Sequence, residues 1–519
     1  MKRRDISRRK FIAITSLGVT GAYVGLHAGL AHAMMMGGGG MGGGGMGGGS
    51  GSGTVIDPPV GGSFRNPVEM GNTAGVEVNL DARLARINVN GTMANLMTYN
   101  GYYPAPTIRV KRGDKLVVNL TNSLPATTAT NLLGYRKNVT NLHTHGWHVS
   151  PRAPSDYVVY ELEPGHGYRH EYDTSRQEAG TLSFYHPHKH GVVAEQFWAG
   201  LAGALVVEDD NDLLKPYETH IMILKDITLS GADPAPHATM MDYMQGKEGN
   251  TVMVNGAVNP RLNIKSGQVQ RWRVLNASSA RCYRLALDGH TMQLIGTDGG
   301  LLDKPYPLSE IILSPGERAD ILIKGTQGAK SGSYRLKALP YARMGMSSLE
   351  TRTLLTVTYN GSVSPAQNIP LSIKGAAAKR LDPNILPIAA RRTMTLSMGQ
   401  GNGYINGQDF DVNPFSIMSK TGTYEVWTIV NQSGMDHPFH QHVNPAQVLS
   451  ISGGDAGYAS LYTTIPAWKD VVLVPKMGSI TLLVPVMDYD GMAMFHCHIL
   501  EHEDIGMMGM WDIMGNMSM

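Results

Sequence analysis

The sequence predicts an all-β protein built from three β-sandwich domains, and three observations carry that reading. Segments that alternate apolar and polar residues recur between Gly and Pro turns, with no long helical pattern anywhere in the globular part. One such segment occurs three times. Val110–Asn122 (VKRGDKLVVNLTN), Ile264–Asn276 (IKSGQVQRWRVLN) and Ser419–Asn431 (SKTGTYEVWTIVN) each place a Gly turn before an alternating strand that ends in Asn. The copies recur roughly 155 residues apart, too long a period for a solenoid and right for a duplicated domain. The globular stretch from Thr54 is about 460 residues, the length of three domains or so.

The first 33 residues read as an address. Ser7-Arg8-Arg9-Lys10-Phe11-Ile12 places a twin arginine before the mildly apolar run Phe11–Leu30, which ends in Ala31-His32-Ala33, a small-residue cleavage site. Gly18, Gly21, Gly25 and several Thr and Ser make the run too polar for a lasting anchor, so cleavage after Ala33 and no stable membrane span are expected. Twin-arginine export carries folded protein, which places the mature chain in the periplasm or beyond, with its cofactor already acquired. The segment carries six basic residues and one acid, so its removal takes the formal charge from +2 to −3. The basicity therefore belongs to the address, and nothing points to nucleic acid. Residues 34–53, Met-rich blocks separated by glycines, cannot bury a core and read as a flexible arm. Their methionines are either incidental to a linker or soft thioether ligands for Cu(I).

Three domains follow, 54–212, 213–378 and 379–519, with the Pro-, Gly- and Ala-rich stretch from Gly361 to Ala390 as the link into the third. The chemistry concentrates near the end. His496–Met507 (HCHILEHEDIGM) holds Cys497 between two histidines, with His502 and Met507 beyond. One thiolate, two imidazoles and a weak axial thioether form a blue-copper electron-transfer site, and this run is one imidazole short. If it begins as a strand, Cys497 points to one face while His496 and His498 point to the other. The thiolate then holds one copper and its neighbours hold others, joined through a few covalent bonds. A zinc or structural reading would require three further runs to be coincidental: His143/His145, His186/His188 and His437/His440/His442. A closed zinc site uses four ligands, and these four runs offer ten histidines, one Cys and one Met.

The four runs resemble the copper signatures of the multicopper oxidases, the laccase and cuprous-oxidase family of three cupredoxin-like Greek-key domains. The likeness extends over the mature chain and includes Asn100–Thr107 and Tyr404–Gly407. The resemblance implies four copper ions. His437, Cys497, His502 and axial Met507 would hold type 1 copper, and His143 with His440 type 2. One type 3 copper would lie on His145, His186 and His498, and the other on His188, His442 and His496. It further implies a reductant giving single electrons through His437 or His502 at the surface, relay through Cys497, and reduction of dioxygen to water. Glu503 matches the family's proton-relay glutamate, and Asp156 is the counterpart of its aspartate at a longer spacing. Met435 matches a thioether that cuprous-oxidising relatives use, and Asp436 beside it is a second candidate substrate contact. An axial Met suggests a low to middling type 1 potential.

The rest reads as support. With Cys497 committed to copper, Cys282 has no intramolecular partner, so no disulfide is expected, and its strand-like setting suggests a buried inert thiol. His290 reads as structural in a middle domain that resembles a spacer. His148, His166, His170 and His190 lie outside the motif spacing and read as rim or supporting groups. Three functions are weighed. The first is an oxidase of phenols, aromatic amines or Cu(I), serving copper tolerance. The second is a periplasmic copper carrier or store, suggested by the Met-rich arm and tail (Met508, Met510, Met514, Met517, Met519). The third is a catalytically dead scaffold of the kind used in cell division, which the complete ligand set opposes. A monomer acting on dioxygen and a small reductant is expected.

Overall fold

The structure, a computed structural model, describes residues 54–71, 76–208, 213–344, 350–373 and 379–515. The twin-arginine segment, the Met/Gly arm, Met517 and Met519 lie outside them. Among the described residues strands dominate, and each third of the chain carries two large sheets, with a two-stranded ribbon (Leu229–Ser230, Asp233–Pro234) besides. The first third has a four-stranded sheet (Thr92–Tyr99, Glu77–Val89, Lys115–Asn122, Gly167–Asp173) and a five-stranded one that ends in Leu182–His186 and His143–His145. The middle third has two six-stranded sheets and the last third two five-stranded sheets.

The repeated segment does the same work each time. Its Gly takes a left-handed turn, at Gly113, Gly267 and Gly422 (φ +94°, +76° and +77°), a conformation that costs glycine little. The strand that follows pairs in parallel with an earlier strand of its domain: Lys115–Asn122 with Glu77–Val89, Val269–Asn276 with Glu218–Ile227, and Thr423–Asn431 with Ile388–Gly399. Parallel neighbours require a crossover, so all three domains share one winding. The closing Asn is buried in every copy and works as a corner. Asn431 accepts from Ser433 N (2.9 Å) and donates to the carbonyls of Met435 (2.8 Å) and Val474 (3.2 Å). Asn122 joins Leu124, Asn138 and Leu162 in the same way, and Asn276 joins Ser278, Arg281 and Leu313.

One strand departs from the expected partition. Val55–Ile56 pairs in parallel with Thr351–Tyr359 of the middle domain, so the first described residues belong to that sheet. The cores follow the sheets only in part. Leu80, Leu116 and Leu205 pack within the first domain, whereas a single apolar core runs from Trp272 and Ile321 in the middle domain to Trp427 and Trp511 in the third. Phe184, Leu275 and Leu500, one from each domain, meet in a smaller cluster. Among the described residues four short helices form: α1 (Val193–Trp198), α2 (Met240–Gln245), α3 (Ala456–Thr464) and α4 (Leu500–Asp504). Among the described residues no helix is long and apolar enough to cross a membrane.

Candidate metal centre

Short strands deliver the histidines. His143–His145 pairs with Leu182–His186 at the end of its sheet, and His437–Gln441 lies between Gly491–Cys497 and Val471–Val474, so an end strand of the first domain faces a strand one in from the edge in the third. An H-x-H spacing on a strand sends both imidazoles to one face. His145 stacks on His440 and His143 on His442, with ring centroids 3.7 and 4.0 Å apart. All ten histidines of the four runs are buried.

The alternation around Cys497 separates two centres. On one side Cys497 Sγ lies 3.4 Å from His437 Nδ1 and 3.5 Å from His502 Nδ1, and the two nitrogens are 3.1 Å apart. Met507 is fully buried beside them, its carbonyl accepting from Cys497 N (3.1 Å) and its amide donating to His502 O (2.9 Å). On the other side His496 Nε2 lies 3.2 Å from His188 Nε2 and 3.3 Å from His442 Nε2. His145, His186 and His498 close a further group, with ring centroids 4.7–5.8 Å apart. Donor separations near 3.3 Å leave about 2 Å from the centre of a triangle to each donor, an ordinary metal–imidazole bond length.

Outer hydrogen bonds fix which nitrogen points inward. His143 Nδ1 is bonded to Asp156 Oδ2 (2.8 Å), His440 Nδ1 donates to Asp470 O (2.9 Å), and His186 Nδ1 donates to Pro187 O (2.7 Å). The Nε2 atoms of these three residues are buried with no hydrogen-bond partner, as are both ring nitrogens of His145 and His498. Orphaned buried acceptors are costly unless a cation takes them, and a convergent set of them fits metal ions. Burial, aided by the neighbouring imidazoles, holds His145, His186, His188, His440, His442, His496 and His502 well below the ordinary histidine range. Burial likewise brings His437 and His498 to about 3. All nine are therefore neutral donors at neutral pH. Burial also pushes the Cys497 thiol up, so its thiolate is stable only beside a cation.

The helix α4 gives each polar side chain a separate task. Glu501 accepts from His237 Nε2 (3.0 Å) and Lys247 N (3.1 Å) of the middle domain, and His502 faces the Cys497 group. Glu503 places its carboxylate 3.2 Å from His496 Nδ1 and 3.5 Å from His188 Nδ1, and burial pushes it well above the usual carboxylate range. Asp504 accepts from the backbone of Gly191, Val193 and Ala194 at the start of α1. Asp156 also accepts from Thr144 N (2.9 Å) and Thr144 Oγ1 (3.1 Å), so it orients His143 through a fully engaged carboxylate.

Several expectations need correction. His437 and His502 are not at the surface: both are 0% exposed, His437 Nε2 is bonded to Ser433 Oγ (2.7 Å), and His502 Nε2 donates to Met244 O on α2 (3.3 Å). Asp436 does not present itself to a substrate. It is buried, with one oxygen accepting from Tyr341 OH and the other from Lys476 N, each at 2.7 Å. Met435 is half-buried, its Sδ 3.8 Å from Arg343 Nη1. The middle domain is no mere spacer, because α2 covers His502. Outside α2 opens a cavity of about 500 Å³ lined by Met241, Asp242, Lys247, Glu248, Arg343 and Met344. The sequence carried a signal for this cover in Thr239-Met-Met-Asp242, a capping box that opens a Met-rich helix.

The remaining candidates take supporting places. His290 bonds Asp288 O and Tyr359 OH (2.7 Å each), His170 bonds Tyr160 OH and Ser155 O, and His190 bonds Asp411. His148 joins Val443 O to Asp488, linking the first and third domains, while His166 stays near the surface on Pro164 O. Cys282 lies immediately before strand Tyr283–Leu287 rather than within it, and both cysteines are free thiols.

Multicopper oxidase family profiles match residues 82–212, 216–362 and 383–515. A multicopper oxidase of Staphylococcus aureus is 30% identical over 431 residues, spanning 81% of this chain and 84% of that protein. A laccase of Bacillus subtilis is 27% identical over 504 residues, spanning 84% and 94%. Among solved structures, a Campylobacter jejuni multicopper oxidase described as a metallo-oxidase superposes with a TM-score of 0.74 at 27% identity, covering 89% of this chain and 97% of that one. Ligand geometry, triplicated sandwich and comparisons agree: the chain belongs to the multicopper oxidase family.

Proposed function

We propose that this chain holds four copper ions and couples one-electron oxidation of a small reductant, a phenolic or aromatic donor or Cu(I), to four-electron reduction of dioxygen to water. His437, Cys497, His502 and Met507 would hold type 1 copper, and His143 and His440 type 2. The type 3 pair would lie on His145, His186 and His498, and on His188, His442 and His496. The convergence of buried ligand atoms supports this assignment: His437, Cys497 and His502 form one group, His188, His442 and His496 another, and nitrogens of His143, His145, His186, His440 and His498 are buried with no hydrogen-bond partner. Bound copper supplies the redox chemistry, and the chain supplies geometry, burial and protons.

Cys497 links the two centres through its own backbone to His496 and His498, a path of a few covalent bonds. Glu503, whose carboxyl burial pushes well above the usual carboxylate range, lies 3.2–3.5 Å from two ligand imidazoles and is positioned to hand on a proton as oxygen is reduced. Asp156 keeps His143 Nδ1 occupied and Nε2 turned inward. The reductant docks in the cavity outside α2, and electrons reach His502 through the Met244 carbonyl contact. Met241 and Met344 on the cavity wall, with Met435 behind Arg343, favour a soft cation among the candidate reductants. The twin-arginine segment supports export of a loaded enzyme to the periplasm, where Cu(I) oxidation would serve copper tolerance.

Oxygen uptake by the copper-loaded enzyme with Cu(I), Fe(II) and a bulky phenol offered separately tests the reading. Met241→Leu with Met435→Leu should weaken Cu(I) oxidation far more than phenol oxidation. Equal loss on both would indicate a damaged type 1 site, and no loss on either would remove the thioethers from the substrate site. Copper binding without oxygen uptake on any reductant would favour sequestration.

A further inference from the structure

The middle domain contributes none of the twelve expected copper ligands, yet one of its loops reaches the histidine cluster. The loop Ser314–Arg318 turns at Gly316 (φ +83°) against the ring of His498. A side chain there would put Cβ 3.1 Å from three ring carbons. Two residues on, Arg318 is 0% exposed and uses all five guanidinium N–H groups. Nε donates to Leu182 O (2.9 Å). Nη1 donates to Gly316 O (3.0 Å) and Asp470 Oδ1 (2.6 Å), and Nη2 to Asp298 O (3.0 Å) and Asp470 Oδ2 (2.6 Å). Asp470 of the third domain is the residue whose carbonyl accepts from His440 Nδ1. Its Oδ1 stands 3.6 Å from His145 Nδ1 and 3.7 Å from His440 Nδ1, close enough to become their acceptor if released. Gly146, directly after His145, leaves room for the pair: a Cβ there would lie 2.3 Å from Arg318 Nη2 and 2.7 Å from Asp470 Oδ2.

We propose that Arg318 is a positioning residue of the trinuclear site. By clamping the Asp470 carboxylate it keeps the Asp470 carbonyl as the partner of His440, and with Gly316 it fixes the rings of His145, His440 and His498. The bidentate grip is what an arginine provides and a lysine does not. A freed buried carboxylate turns to the nearest donors, here the two Nδ1 groups, and so alters the orientation of ligands to type 2 and type 3 copper. Among the described contacts none joins Arg318 to His437, Cys497, His502 or Met507, so type 1 copper is outside its reach. The inference rests on the copper assignment proposed above.

The test uses full-length, copper-loaded Arg318→Lys and Asp470→Asn. Copper per chain, blue absorption, type 1 potential, the type 2 electron paramagnetic resonance signal, and the separate rates of anaerobic reduction and dioxygen reoxidation are measured. The expected result is unchanged type 1 colour, potential and reduction rate, an altered type 2 signal, and reoxidation slowed about 10- to 100-fold, the usual cost of removing an outer partner of a metal ligand. Wild-type type 2 signal and reoxidation in either folded variant would overturn the proposal, as would equal damage to type 1 and type 2, which marks general destabilisation. Wild-type enzyme lacking a type 2 signal would overturn the copper assignment instead.

Discussion

Cys497 combines two roles because a strand residue and its neighbours face opposite ways. Its sulfur closes a triangle with His437 and His502, while the backbone on either side carries His496 and His498 into the other cluster. Cys497→Ser should therefore abolish both blue colour and turnover while the fold and the remaining copper persist. A variant still blue and active would overturn the type 1 assignment. Met507→Leu should raise the type 1 potential without copper loss, because a thioether stabilises the oxidised ion and an alkyl group does not. Redox titration measures this, and an unchanged potential would exclude Met507 as axial. These residues were legible because ligand spacing is local and periodic. The partners that bury the outer nitrogens were not: Ser433 is four residues from His437, but Met244 is 258 residues from His502 and meets it only through the fold.

The asparagine that ends each repeated strand shows how one local device is reused for different ends. Each side chain bonds an amide two residues on and two carbonyls, so its loss leaves buried groups unpaired at a cost of about 1–3 kcal/mol. In the third domain this corner shapes the loop Gln432–Asp436, whose Ser433 hydroxyl holds His437 Nε2. Asn431→Ala should therefore lower the thermal midpoint and also weaken blue absorption. Asn122→Ala should cost similar stability with the blue band intact. Identical spectra in the two variants would show that the corner has no bearing on the type 1 site. The repeated strand and its Gly turn could be read from pattern alone, and Asn-Gly turns at Asn90, Asn100, Asn255 and Asn406 carry a further local signal, each Asn at φ 49–57°. Asn255 also bonds Ile223 N as Asn100 bonds Asp81 N, partners outside the turn that no local pattern shows. The capping box at Thr239–Asp242 marks where α2 begins, but six residues give too little amphipathic pattern to show what the helix covers.

Three domains meet around the proposed copper ligands, and that meeting is the part of the molecule least visible in the sequence. The apolar core shared by the middle and third domains, the α2 cover and the Arg318–Asp470 clamp all depend on how sandwiches dock, which no local pattern encodes. Docking also concentrates buried, neutral histidines, and this sets an expected response to acid. Burial holds nine of the ten ligand histidines below their ordinary value near 6.5, two of them at about 3. Between the folded and unfolded values the unfolded chain binds more protons, so stability rises with pH and falls as pH drops. Glu503 and Asp504 act in the opposite sense. Burial pushes both up, so the folded form holds protons that the unfolded chain releases above the ordinary carboxylate range, and their contribution is lost as pH rises. Nine groups outweigh two. The copper-free protein should thus lose stability progressively as pH falls below about 6.5, with the loss from His437 and His498 continuing toward pH 3. Urea midpoints of the copper-free protein measured from about pH 8 down to about pH 5 check this. A midpoint that stays level or rises on acidification would mean that the histidines are not buried and neutral together, and with that the preformed copper cradle would be lost.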